Sequence, residues 1–236
     1  MNVLLTGGTG LIGRQLCRQL VAAGHQGGGW SRRPGEVAAL CGAQGRGVAS
    51  LEQLDDSPLD AVINLAGAPV ADRRWSAERK ALLWQSRVTL TEQLVQWLGQ
   101  RAQRPEVLVT ASAVGWCGDG GDTPLTEASP AKVEYTHTLC DAWEAAARRA
   151  ASYGIRVCVL RIGLVLAHDG GHAVQLVQRQ QRGLAVHRMM LVGRQLVGAV
   201  PGHRRAQDGI GNADLADVVQ QSGQVHGALR GLVQAP

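Results

Sequence analysis

The octapeptide Thr6-Gly7-Gly8-Thr9-Gly10-Leu11-Ile12-Gly13, directly behind the apolar run Val3-Leu4-Leu5, constrains the fold more than any other stretch. The run reads as a short buried strand, and Leu11 to Ala23 as an amphipathic helix closed by Gly24. Gly7, Gly10 and Gly13 therefore fall in a strand-to-helix turn. There the first glycine permits a positive φ, the second lets the backbone approach a diphosphate, and the third allows close packing of helix on strand. Free amides and the positive helix end complete an anion cradle. Its candidate cofactor-binding residues are Gly7, Thr9, Gly10, Leu11, Ile12 and Gly13.

To about residue 166, short apolar runs alternate with amphipathic stretches, as in parallel strands joined by helices. The strand candidates are Val3–Leu5, Ala61–Leu65, Val107–Thr110 and Arg156–Leu160. Helices are expected over Leu11–Ala23, Ala77–Gln100 and Thr136–Ser152, the last ended by Gly154. This is an α/β plan, a Rossmann-type doubly wound parallel sheet. The second strand is poorly marked, because Gln26-Gly27-Gly28-Gly29-Trp30 stands where a β-branched run belongs, and glycines weaken a strand. Beyond Gly171 both periodicities fade, returning only near Asp214-Leu215-Ala216-Asp217-Val218-Val219.

The residues after the second strand bear on the choice of dinucleotide. A carboxylate there would hold the ribose 2′-hydroxyl of NAD, whereas Ser31-Arg32-Arg33 offers a hydroxyl and two guanidiniums, which suit a 2′-phosphate. The residues favour NADP(H) over NAD(H); a solvated basic turn is the alternative. Asn64-Leu65-Ala66-Gly67 and Thr110-Ala111-Ser112-Ala113-Val114-Gly115 each end a predicted strand at the carboxyl edge, where open α/β sheets bind ligands. Leu65, Ala66 and Gly67 join the cofactor-binding candidates.

Composition narrows the partners. The net charge is +5, but residues 172–236 hold seven arginines against Asp208, Asp214 and Asp217, without Phe, Trp or Tyr to stack on bases. A nucleic-acid groove is not indicated. No apolar run nears the roughly 20 residues that span a bilayer, and the opening segment lacks a basic n-region and a cleavage site. Five cysteines (Cys17, Cys41, Cys117, Cys140, Cys158) without metal-like spacing read as reduced thiols. The expectation is a cytoplasmic protein with a small-molecule substrate, no nucleic-acid or membrane partner, no metal, and no sequence signal for oligomeric state.

Together, TGGTGLIG and the two strand ends resemble the short-chain dehydrogenase/reductase superfamily, in particular its extended, epimerase-like branch. Asn64 to Trp75, Arg79-Lys80, Ser86-Arg87-Val88 and Thr91 are similar to small NADP-dependent members of that branch. So are residues 112–122, 125–130, Cys140-Asp141-Ala142-Trp143-Glu144 and Arg161 to Leu166 followed by Asp169-Gly170-Gly171. The resemblance covers roughly residues 1–171 and implies an NADP(H)-dependent oxidoreductase or epimerase, with Ser112 orienting a substrate hydroxyl or carbonyl. It also implies a smaller substrate-capping portion. In residues 172–236 only Gly193-Arg194-Gln195 and traces near Ala213 and His226 match, so this stretch reads as a degenerate or truncated cap. Residues 172–211 read as drifted or frame-shifted, which resequencing the encoding DNA would test.

The superfamily's Tyr-x-x-x-Lys pair, in which a phenol serves as acid or base beside a lysine that lowers its pKa, is absent. With Glu144 setting the register, Thr136 takes the tyrosine's place and Cys140 the lysine's. Ser112 and Tyr135 remain as catalytic candidates, Tyr135 alternatively as a packed helix residue. Cys140 is either a thiol nucleophile or a small buried helix residue. Arg74 and Trp75, within Asp72-Arg73-Arg74-Trp75, are substrate-binding candidates, the segment alternatively being a solvated turn capped by Ser76. Lys80 and Arg87, seven apart on one predicted helix, share a surface or are plain helix-surface charges. A catalytically idle NADP(H)-binding module is the competing function.

Overall fold

The computed structural model describes residues 1–171, except 42–44, 55–56, 71, 121–123, 127, 164 and 168–169. Everything expected of residues 172–236, including the degenerate cap and the return of periodicity near Asp214, lies outside the described residues.

Six strands, β1 (Asn2–Thr6), β2 (Gln26–Trp30), β3 (Gly45–Val48), β4 (Ala61–Asn64), β5 (Val107–Ala113) and β6 (Arg156–Ile162), form one sheet in the order β3-β2-β1-β4-β5-β6. β1 pairs parallel with β2 and β4, β2 with β3, and β4 with β5. The order reverses at β1, so a crevice opens beyond the carboxyl ends of β1 and β4. This is the doubly wound architecture expected.

Helices α1 (Leu11–Ala22) and α2 (Pro34–Cys41) follow β1 and β2. α1 ends as the sequence predicts: Gly24 sits at φ +76 and donates to the Val21 carbonyl, while His25 N–H reaches Leu20. The glycine-rich β2 forms despite its propensity. A Cβ on Gly29 would run into the Val37 side chain of α2, and one on Gly47 of β3 into the Pro34 carbonyl. These glycines trade strand propensity for close contact with α2, which is why no apolar run announces β2 or β3.

The predicted helix over residues 77–100 is divided. α3 (Ala77–Trp84) passes through one turn of π-helix, Gln85–Thr89, into α4 (Leu90–Gln100). Ser76 caps α3, accepting from Arg79 N–H at 3.2 Å. α5 (Tyr135–Arg148) tightens into a 3-10 turn, Arg149–Tyr153, which Gly154 ends at φ +80. The main core joins Leu4, Val62 and Leu108 of the sheet to Leu94, Trp97 and Leu98 of α4 and to Ala147 and Ile155.

The described residues divide into two units, residues 1–116 with 133–161, and residues 117–132 with 162–171. In the described part of the second, Lys132 N–H donates to the Cys117 carbonyl, and β7 (Leu166–Ala167) pairs antiparallel with β8 (Gly170–Gly171). No helix among the described residues is long and apolar enough to cross a membrane, and none of their His, Cys, Asp and Glu side chains cluster as a metal site.

Candidate active site

Residues 7–10 carry the chain from β1 into α1. Gly7 has φ +70, and a Cβ there would lie 2.6 Å from the Leu65 carbonyl oxygen, so the turn abuts the loop that leaves β4. A Cβ on Gly13 would strike the Gly7 carbonyl and come within 2.7 Å of Gly8 Cα. The third glycine thus seats the helix on the turn itself rather than on the strand. Gly10, the N-cap, offers no side-chain acceptor, and the first turn of α1 carries no acid. The amides of Leu11, Ile12 and Gly13 have no acceptor within the helix, and the positive helix end is not neutralised locally.

The basic pair lies beside this turn. Arg33 donates from Nη1 to Glu36 at 2.8 Å and from Nη2 towards Thr9 Oγ1 at 3.5 Å, while its backbone N–H donates to Ser31 Oγ. Arg32 is exposed and has no partner among the described residues. Ser31, Arg33 and Thr9 are therefore brought together, with one guanidinium to spare.

At the end of β4, a fully buried polar network fixes the neighbouring loop. Thr6 O–H donates to Asn64 Oδ1 at 2.6 Å, and Asn64 Nδ2 donates to Thr91 Oγ1 at 2.8 Å and towards Thr110 Oγ1 at 3.3 Å. Trp143 Nε1 donates to Thr91 at 3.0 Å, and Ala66 N–H to Thr6 Oγ1 at 3.1 Å. Buried polar groups are costly unless paired, and here each pairing ties a strand end or helix to the next. One step further, Ala68 N–H donates to Ser86 Oγ at 3.1 Å and its carbonyl accepts from Arg87 Nη2 at 2.9 Å. Arg87 is not the surface charge expected of it. The π-turn carries it inward, only 9% exposed, over the ring of Trp143, and burial lowers its pKa. Lys80 does stay exposed, its ammonium over the ring of Tyr135.

β5 runs through Ala113, which puts Ser112 inside the strand, 3% exposed, facing α5. Its hydroxyl donates to Glu144 at 2.7 Å. Glu144, 1% exposed, also accepts from Arg161 Nε and Nη2 and from Arg148 Nη2, at 2.7 to 3.0 Å. Burial pushes the Glu144 carboxyl up; the hydrogen bonds from Arg161, Ser112 and Arg148 outweigh it, and the net direction is down. An ionised carboxylate only accepts, so Ser112 must donate to it and keeps only its lone pairs for any other partner.

Thr136, Cys140 and Glu144 recur every four residues along one face of α5. A Cβ on Gly115 would lie 3.1 Å from Thr136 Cβ, and Cys140 is buried, 5% exposed. Burial pushes the Cys140 thiol up, which favours the small buried helix residue of its two alternatives. Tyr135 faces elsewhere. Its hydroxyl donates to the Lys80 carbonyl at 2.9 Å and its ring meets Trp75 edge-on at 5.3 Å, so Ser112 and Tyr135 are committed to different partners. Trp75 also donates from Nε1 to the Val70 carbonyl, whereas Arg74 is exposed; Arg79, not Arg74, pairs with Asp72 and with the Pro69 carbonyl.

Sequence reasoning missed Asn64 as a network centre, Arg87 as a buried loop anchor and Glu144 as the acceptor for Ser112. The available signal was spacing. Thr136, Cys140 and Glu144 share a helix face, and an acid at the third position faces the same strand as the first two.

The profile of the NAD dependent epimerase/dehydratase family matches residues 3–190. The chain is 34% identical over 184 residues to the epimerase family protein SDR39U1 homolog, chloroplastic, of Arabidopsis thaliana, covering 75% of this chain and 52% of that protein. It is 37% identical over 170 residues to epimerase family protein Mb2239 of Mycobacterium bovis, covering 72% and 55%. The chain thus spans about half the length of the curated relatives it matches. Among solved structures, human epimerase family protein SDR39U1 (isoform 2) with NADPH aligns with a TM-score of 0.61 at 29% identity, over 78% of this chain and 61% of that one. The UDP-glucuronic acid 4-epimerase of Bacillus cereus in complex with NAD aligns at 0.63 and 17% identity, over 79% and 65%, a likeness of fold.

Proposed function

The chain belongs to the NAD dependent epimerase/dehydratase family, and on that premise we propose that it is an NADP(H)-dependent oxidoreductase or epimerase acting on a hydroxyl or carbonyl compound. The observation that carries the choice of NADP(H) is the pairing of a glycine turn with Arg33 reaching Thr9 and Arg32 unpartnered beside it. A 2′-phosphate suits two guanidiniums and Ser31, and the diphosphate suits the uncapped amides of α1. The human relative's structure with NADPH supports the same choice.

The residues fit such a cofactor. Gly7, Gly10, Leu11, Ile12 and Gly13 would hold the diphosphate, Ser31, Arg32 and Arg33 the 2′-phosphate, and Leu65, Ala66 and Gly67 would line the crevice. When bound, the nicotinamide gives or takes the hydride. Ser112 would accept a hydrogen bond from a substrate hydroxyl, since its own proton is held by Glu144. Glu144 keeps that rotor fixed, and Arg161 and Arg148 keep Glu144 ionised. Arg74 and Trp75 would meet the substrate at the outer end.

Titration of the purified chain with NADPH and NADH tests the cofactor. Tighter binding of NADPH, lost in Arg32→Ala, is expected; equal affinities unaffected by that substitution overturn it. Turnover is tested with a panel of hydroxyl compounds, where NADP+ reduction should disappear in Ser112→Ala. One observation favours the idle-module reading: the protons of both Ser112 and Tyr135 are held within the protein. Tight binding without turnover across the panel would establish that reading.

A further inference from the structure

Arg87 is a buried cation to which no carboxylate is paired among the described residues. Its protein partners are neutral: the Ala68 carbonyl at 2.9 Å, Ser86 Oγ at 3.3 Å and the Trp143 ring below. A buried guanidinium without a counter-charge is disfavoured by desolvation, and two neutral acceptors leave three of its five N–H groups unused. Of these the Nε–H is not sealed, since among the described residues the one fully buried side-chain nitrogen without a partner is Nε of Arg79. Arg79, the neighbouring cation, has its own acid in Asp72.

Its placement is specific. The π-turn, a rare geometry that is frequent at functional sites, presents Ser86 and Arg87 together to the loop beyond β4. Gly67 leaves room for the guanidinium, for a Cβ there would stand 2.9 Å from Arg87 Cζ. Trp143, whose ring the guanidinium covers, lies one turn of α5 beyond Cys140. Cys140 is the position at which the resembled superfamily carries its lysine. The chain lacks that ammonium, yet a fixed positive charge stands over the residue one turn further along the same helix.

We propose that Arg87 is the anion-binding residue of the reaction centre, taking a carboxylate or other negatively charged oxygen of the substrate where the superfamily's lysine would have placed its charge. This rests on the reading of the crevice as a nicotinamide dinucleotide site and adds to it an anionic substrate class. The pinning of Ala68 alone would require neither unused donors nor an unmatched charge.

The test uses acetate as the probe on the full chain saturated with NADPH, titrated at constant ionic strength against chloride. Two readouts are followed: thermal stabilisation, and the nitrogen resonance of the Arg87 Nε–H, assigned by its loss in Arg87→Met. Expected are a saturable shift of that resonance and saturable stabilisation, both retained within a few fold in wild type without NADPH. The stabilisation should fall at least tenfold in Arg87→Met and partly recover in Arg87→Lys. Should Arg87→Met fail to fold, Gly67→Ala, which crowds the guanidinium but keeps its charge, should weaken the acetate response. A resonance indifferent to acetate, or stabilisation equal in wild type and Arg87→Met, overturns the proposal. So does a response abolished by NADPH, which would assign Arg87 to a cofactor phosphate. Failure of the wild type to bind NADPH would instead defeat the cofactor reading, while the acetate arm without NADPH still decides the role of Arg87.

Discussion

At the β1–α1 turn the chain is arranged to meet a ligand with its backbone, and its charged side chains, Arg32 and Arg33, are exposed. Between β5 and α5 the reverse holds: the main chain is consumed by the sheet and helix, and buried side chains hold one another through Ser112, Glu144, Arg161 and Arg148. The first arrangement depends on the absence of side chains and local sterics. The second depends on side chains that are distant in sequence and each needed by the next. Substitutions should therefore act differently in the two regions, on binding in the first and on folding in the second.

The largest effect should follow Glu144→Ala, which strips Arg161 and Ser112 of their common acceptor. About 3–5 kcal/mol of stability should be lost, read by urea denaturation; a loss below about 1 kcal/mol would erase the contrast. Next comes Gly13→Ala, whose methyl would press on the Gly7 carbonyl. NADPH affinity should fall on the order of a hundredfold, about 2.8 kcal/mol, measured by fluorescence titration. Arg32→Ala should lower the preference for NADPH over NADH about tenfold, about 1.4 kcal/mol, and leave the melting temperature nearly unchanged.

Acid should sharpen the comparison further. The Glu144 carboxyl is held below its ordinary 4.5, so its contribution is complete above that value and is lost as pH falls through the depressed one. Wild type should lose stability there more steeply than Glu144→Gln in pH-dependent melts. The smallest effect belongs to Glu36→Gln. It breaks an exposed pair with Arg33, and stability should change by less than about 1 kcal/mol in the same denaturation assay.

Legibility in the sequence divided along the same line. The glycine turn, the helix ends at Gly24 and Gly154, the Ser76 cap and four of the six strands follow from local rules, because each is decided by a few adjacent residues. β2 and β3 did not, since Gly29 and Gly47 answer to α2 packing against them rather than to strand propensity. The site divides likewise. Thr9, Ser31 and Arg33 come together as their order along a βαβ unit requires, whereas Arg87 was read as a surface charge because an unbroken helix would have turned it differently. Ser112 was named for the right strand, but its commitment to Glu144, 32 residues away, is a tertiary fact that no short motif encodes.

The π-turn at Gln85–Thr89 inserts one residue into an otherwise continuous helical rod, offsetting its two halves by about 100°. Ahead of it, Lys80 and Trp84 are phased towards water; after it, Leu94 and Leu98 are phased towards the sheet. Shortening this span by a single amino acid would restore a uniform spiral and force a choice between the two phases, either unseating the guanidinium from beneath Ala68 or swinging the leucines out of the interior. One surplus peptide unit thus lets a single rod answer to two incompatible angular demands.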